Sequence, residues 1–164
     1  MASATQHRLP PSVRPQRYAI HLTPDLVRFT FAGRETIDLN VAEPTSAILL
    51  NAAEMRITSA SVTLADGSTI GASATVDEVA ERATVKLDRA MPVGVAKLSL
   101  EFDGTLNDQL RGFYRSQYEG PDGESRFLAT TQFEATDARR AFPCWDEPEA
   151  KAVFEVTLTI PDAL

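Results

Sequence analysis

Histidine, cysteine and tryptophan are nearly missing from this chain of 164 residues, which has two His, one Cys and one Trp. The single cysteine, Cys144, cannot form an intramolecular disulfide, which points to a reducing compartment. Both histidines, His7 and His21, lie near the N-terminus, far in sequence from Cys144, so a nucleophilic thiol lacks the base it needs. The patterns H-E-x-x-H and C-x-x-C are absent, and no group of histidines offers a metal site. There is no phosphate-binding P-loop, no dinucleotide fingerprint and no G-x-S-x-G elbow. No apolar run approaches the ~20 residues of a membrane span, and no signal-peptide core is visible. Positive charge is also short. With 16 Lys and Arg against 23 Asp and Glu, the net charge is −7 and the pI about 4.8. That balance argues against nucleic acid or an anionic membrane as the main partner. The location expected from these absences is cytoplasmic.

What is present suits a soluble globular domain. Apolar residues make up 43% and charged residues 24%, enough of each for one domain that buries its own core. The charge is uneven: residues 1–34 carry +4, leaving −11 for the rest. Pro10, Pro11 and Pro15 spoil the amphipathic helix that a basic transit peptide would need, so residues 1–15 read as an extended arm.

From residue 16 onward the dominant signal is alternation. Tyr18, Ile20 and Leu22 share one face of a strand, and Val27, Phe29 and Phe31 share another before Gly33, which permits a turn or bulge. Further strands are predicted around Ile37–Val41, Ile48–Leu50, Ile57–Leu64, Ala83–Leu87, Leu98–Phe102, Gly112–Ser116, Phe127–Glu134 and Phe154–Ile160, with a weaker one over Thr69–Val76. Asp66-Gly67 is a tight-hairpin signal, Asp103-Gly104 a strand end, and Gly120–Gly123 a turn. Helical turns are expected only at Asp77–Arg82 and Thr136–Phe142. About ten short strands with closely spaced turn signals indicate an all-β sandwich or stacked-sheet domain.

The stretch Thr131–Lys151, TQFEATDARRAFPCWDEPEAK, departs from this pattern. If Phe127–Glu134 is a strand, Gln132 and Glu134 share a face, with Cα atoms roughly 6.5–7 Å apart at a rise of ~3.3 Å per residue. An amide beside a carboxylate can grip a cation and its polar neighbours. On spacing alone, a solvent-facing polar pair at a strand end is the plainer reading. Arg139 and Arg140 face a choice of carboxylates in Asp137, Asp146, Glu147 and Glu149, and such pairs would brace a turn. Phe142, Cys144 and Trp145 are the expected apolar anchor of that turn.

The block TQFEATDARRAFPCWDEPEAKAVFEVTL resembles the N-terminal domain of the zinc aminopeptidases related to aminopeptidase N and puromycin-sensitive aminopeptidase. LPPSVRPQRYAIHLTPDL, FAGRETIDLNV, ILLNAAEMRITSASV and GFYRSQY agree with the same family in the same order. The resemblance implies an all-β, saddle-shaped domain over residues 16–164, packed in the intact enzyme against a zinc-bearing catalytic domain. It implies that Glu134 holds the free α-amino group of a peptide N-terminus and that Gln132 lines the pocket for the first side chain. The family's G-A-M-E-N and H-E-x-x-H segments do not occur here. The chain is therefore expected to be a fragment whose sheet lacks its last strands. It is expected to carry no catalytic residue and no metal ligand of its own, and to be inactive alone. The other reading is a stand-alone β-sandwich binding or interaction module of the same fold.

Overall fold

A computed structural model describes residues 8–161. Ten strands account for most of them. They are β1 (Val13–Asp25), β2 (Thr30–Val41), β3 (Thr45–Asn51), β4 (Met55–Leu64), β5 (Thr69–Asp77), β6 (Arg82–Met91), β7 (Gly94–Thr105), β8 (Gly112–Glu119), β9 (Ser125–Gln132) and β10 (Val153–Leu158). The one helical element among the described residues is a 3-10 turn at Ala138–Arg140. The all-β architecture expected from the alternation is the one observed. Of the arm expected over residues 1–15, residues 1–7 lie outside the described part; Leu9 is buried, and Val13–Pro15 already belong to β1.

Eight strands form one sheet in the order β10-β1-β2-β7-β4-β5-β6-β3, and β8 and β9 form a separate ribbon. Neighbours in the large sheet are antiparallel except β10, which runs parallel to β1. Period-two alternation puts Tyr18, Ile20, Leu22, Ile37, Leu39, Leu98, Leu100, Val62, Val85 and Ile48 on one face, where they form the core. The sheet curls, so that the segment after the 3-10 turn touches both ends of it. Cys144 pairs as a bridge with Asn51 of the edge strand β3, while the Trp145 N–H donates to the Tyr18 hydroxyl of β1 at 3.1 Å. At the opposite edge, Val153, Phe154, Val156 and Leu158 of β10 are all more than half exposed.

Two expectations about glycine are corrected. Gly33 makes neither a turn nor a bulge, because β2 runs through it from Thr30 to Val41. Asp103-Gly104 does not end a strand, because β7 continues to Thr105. Gly33 is paired with Phe102, and Phe31 with Gly104. Each Phe ring lies over the glycine opposite, where a Cβ would overlap it. These glycines meet a need for space rather than for a bend. The alternation at Val27 and Phe29 also misleads. Asp25 Oδ1 accepts the N–H groups of Val27 and Arg28, each at 2.9 Å, and Phe29 has φ 56°, so these residues form the β1–β2 turn. The helical turn expected at Asp77–Arg82 is the β5–β6 hairpin turn, in which Asp77 Oδ1 accepts from Val79 and Ala80. Asp66-Gly67 turns the β4–β5 hairpin as expected, with Gly67 at φ 83°.

The β8–β9 ribbon rests on aromatic rings. Phe113 is buried against Phe31, with centroids 5.2 Å apart, and Phe127 packs edge-on against Phe29 at 4.8 Å. The Arg115 guanidinium lies 4.4 Å over the Phe29 ring and donates to the Leu106 carbonyl at 2.7 Å.

Candidate functional site

β9 ends at Gln132, two residues short of the strand predicted through Glu134. Its last ladder pair is Gly112 with Gln132. Beyond that point the chain is held by other contacts. The Glu134 N–H donates to Gln132 Oε1 at 3.2 Å, and the Asp137 N–H donates to the Phe133 carbonyl at 3.0 Å. The Phe133 ring packs edge-on against Phe142, 5.9 Å between centroids. The Glu134–Ala135 peptide is cis. Gln132 and Glu134 are both exposed, while Phe133 between them is half-buried. Strand alternation alone therefore does not position Glu134; the turn that follows does much of that work.

That turn is braced by ion pairs, several of them with partners remote in sequence. Arg139 Nε is 3.0 Å from Asp146 Oδ2, and its Nη1 is 3.1 Å from Glu81 Oε2. Arg140, only 8% exposed, pairs through Nη2 with Glu81 Oε1, and its Nε lies 3.2 Å from Asp137 and 3.5 Å from Glu54. Burial disfavours charge on the Arg140 guanidinium, yet the bond and field of Glu81, with Glu54 and Asp137 behind it, hold its pKa above the ordinary value. The remaining carboxylates of the block serve the start of the chain. Glu147 Oε1 accepts the Leu9 N–H at 2.6 Å, and Glu149 pairs with Arg8 and Arg14, each at 3.0 Å. Arg139–Asp146 and Arg140–Asp137 are readable in the sequence as local pairs. Glu81 and Glu54 are not, because nothing in their local sequence marks them.

Phe142, Cys144 and Trp145 are buried, as expected for the anchor of this turn. Burial, with the nearby Asp146 and Glu35 charges, pushes the Cys144 thiol well above its usual pKa, which makes it an inert packing group. Tyr18, whose hydroxyl accepts from Trp145, is likewise raised by burial first and by the field of Cys144 second.

The described residues do not fit a zinc ion. Among the described residues, no group of three or more His, Cys, Asp and Glu is arranged to hold a metal. Arg34 Nη2 lies 3.0 Å from His21 Nδ1, and a guanidinium can only donate, so Nδ1 accepts and Nε2 carries the proton toward Thr159 Oγ1 at 2.6 Å. Neither ring nitrogen has a lone pair free for a metal. A hollow of about 420 Å³ on the polar face of the large sheet is lined by residues such as Thr36, Ser61, Ser99 and Thr157, and neither Gln132 nor Glu134 is among its walls.

The fold is an all-β domain in which Gln132, at the end of β9, and Glu134 stand exposed beside a braced turn, and comparison with known proteins gives its family. The chain matches the Peptidase M1 N-terminal domain over residues 14–164, and it belongs to that family. It is 45% identical over 161 residues to aminopeptidase M1 of Arabidopsis thaliana, covering 96% of this chain and 18% of the relative. It is 41% identical over 164 residues to the puromycin-sensitive aminopeptidase of Caenorhabditis elegans, covering 99% of this chain and 17% of that protein. With aminopeptidase N of Acetobacter pasteurianus the identity is 36% over 154 residues, 94% of this chain and 42% of the relative. The chain thus spans less than a fifth of the length of its plant and worm relatives. Among the described residues no helix is long and apolar enough to cross a membrane.

Proposed function

We propose that this chain is the substrate-anchoring domain of a zinc aminopeptidase that removes single residues from peptide N-termini. Glu134 holds the α-ammonium group of the substrate, and Gln132 contributes its amide to the pocket for the first side chain. The observation that carries this reading is the pairing of two exposed polar side chains with an unusually well-held turn. A carboxylate meant only for solvent gains nothing from a buried ion-paired support. One meant to meet a cation at a fixed distance from a scissile bond needs it. Both residues are open to solvent here, so the opposite wall of the site belongs to another part of the intact protein, as do the metal and the groups that break the bond. The physiological partners in this reading are a peptide N-terminus and a catalytic domain.

The test is kinetic. In the intact enzyme containing this chain, Glu134→Gln should lower kcat/KM for an aminoacyl-p-nitroanilide by about 30- to 900-fold. That is the equivalent of ~2–4 kcal/mol for removing a charge-assisted hydrogen bond from a desolvated site. Bound zinc should be unchanged. Wild-type kinetics in that variant would remove Glu134 from the site. Turnover by the isolated 164-residue chain would show that the bond-breaking groups had been misplaced.

A further inference from the structure

Gln132 and Glu134 stand at the end of a ribbon that cannot fix their position unaided. β8 and β9 form a separate two-stranded ribbon, tied to the preceding loop by a bridge between Tyr114 and Asn107, and a two-stranded hairpin is marginal in water. Besides the packing of Phe113 on Phe31 and of Phe127 on Phe29, support at the anchor end comes through the 3-10 turn. Gly112, which faces Gln132 in the last ladder pair, lies so close to Arg140 that a Cβ would overlap the Arg140 Cβ. The Phe133 carbonyl is tied to the Asp137 N–H, and the Asp137 carbonyl accepts the Arg140 N–H at 3.1 Å. Whatever holds Arg139 and Arg140 therefore holds both sides of the anchor.

In the ion pairs found among the described residues, Glu81 is the carboxylate that reaches both arginines; Asp146 pairs only with Arg139, and Glu54 and Asp137 pair with Arg140 but not with Arg139. Glu81 belongs to the β5–β6 turn of the large sheet and sits there at φ 51°, in the left-handed region that a residue with a Cβ rarely occupies. Its carbonyl accepts the Ala52 N–H at 3.2 Å, and the neighbouring Ala53 N–H donates to the Arg139 carbonyl at 3.0 Å. The turn that presents Glu81 is thus itself bonded to the segment leaving β3. Burial opposes the charge on Glu81, but the hydrogen bond and field of Arg140, with those of Arg139, keep its carboxyl below the usual range, so it is ionised at neutral pH.

We propose that Glu81 is a positioning residue for the substrate's amino terminus: by clamping Arg139 and Arg140 to the large sheet, it sets where Gln132 and Glu134 stand. The inference rests on the anchoring role proposed above. It predicts that Glu81, which itself touches no substrate, governs how well the enzyme distinguishes an amine from its absence.

The experiment compares inhibition of the intact enzyme by leucine hydroxamate and by 4-methylpentanohydroxamate, the same molecule without the α-amine. The ratio of the two inhibition constants does not depend on how much enzyme is folded, so loss of stability alone leaves it unchanged. Glu134→Gln should collapse the amine preference. Glu81→Gln should reduce it about fivefold or more, and Glu81→Asp, charged but too short to span both guanidiniums, should fall between Glu81→Gln and wild type. Glu149→Gln, in the same block but paired with Arg8 and Arg14, should match wild type. If Glu134→Gln collapses the ratio while both Glu81 variants stay within about twofold of wild type, the positioning role is overturned and the anchor stands. If Glu134→Gln leaves the ratio untouched, the anchor itself is wrong. If Glu81→Gln gives no soluble enzyme, Glu81→Asp decides, and an unchanged ratio there overturns the proposal.

Discussion

Replacing Glu35 by methionine should stabilise this domain, and increasingly so as pH rises. Glu35 lies in the middle of β2, opposite Ile20 of β1 and Leu100 of β7, both 2% exposed. It is itself 3% exposed, and neither carboxylate oxygen has a hydrogen-bond partner. Burial pushes its pKa well above the ordinary carboxyl value, and no cation offsets the desolvation. Its field raises Tyr18 and Cys144 further. For an acid whose pKa is higher folded than unfolded, the native state keeps a proton that the unfolded chain releases above about pH 4.3. The stability associated with that proton is fully present below about pH 4.3. It is lost as pH rises toward the folded value, at up to ~1.4 kcal/mol per pH unit. An unsatisfied buried polar group costs about 1–3 kcal/mol. Glu35→Met, similar in volume and without that group, should therefore exceed wild type by about 1–3 kcal/mol near pH 8. For a domain of this size that corresponds to roughly 2–12 °C in Tm. Thermal unfolding of both chains, followed by circular dichroism from about pH 5 to about pH 8, should show the gap widening. A gap that stays constant with pH, or a variant less stable near pH 8, would mean that Glu35 is not a lone buried carboxyl.

Two more substitutions test the packing. Gly33→Ala puts a methyl group into the Phe102 ring and should cost about 1–3 kcal/mol as an overpacked core contact, read as a lower denaturation midpoint with an unchanged m-value. Trp145→Ala removes a ring that is 5% exposed at the point where β1 meets the closing segment, and should cost about 3–5 kcal/mol; an unchanged Tm would place that ring in solvent.

The strands are legible where one face is buried and the other is not. Val13–Asp25 and Gly94–Thr105 alternate because their alternate residues meet the core. Legibility ends where the same local signal has two physical causes. Gly33 and Gly104 look like punctuation, yet each makes room for a ring on the neighbouring strand, a neighbour that local sequence does not reveal. Val27 and Phe29 alternate like strand residues, but the two N–H groups captured by Asp25 make a turn there. β10 shows clean alternation with all six of its residues exposed, so alternation marks a strand there without marking a buried face.

The same distinction explains what can be read of the site. Gln132 and Glu134 stand out as a pair two residues apart, and Arg139, Arg140, Asp137 and Asp146 as charges close enough to brace a turn. The bracing is only partly local. Glu81 is more than fifty residues away from the arginines it joins, Glu54 more than eighty, and Tyr18, which accepts the Trp145 N–H, more than a hundred. Those partners come together because the large sheet curls until β1 and β3 both reach the segment Ala141–Trp145. A block so dense in charge and aromatic side chains can look self-contained in sequence. In the fold it closes the sheet, with one side bonded to strands that precede it by most of the chain and the other carrying two polar residues left open to solvent. On the positioning role proposed for Glu81, the stance of those two residues depends on the large sheet, so Glu81→Gln, remote from them in sequence, is the substitution that separates a held site from a merely exposed one.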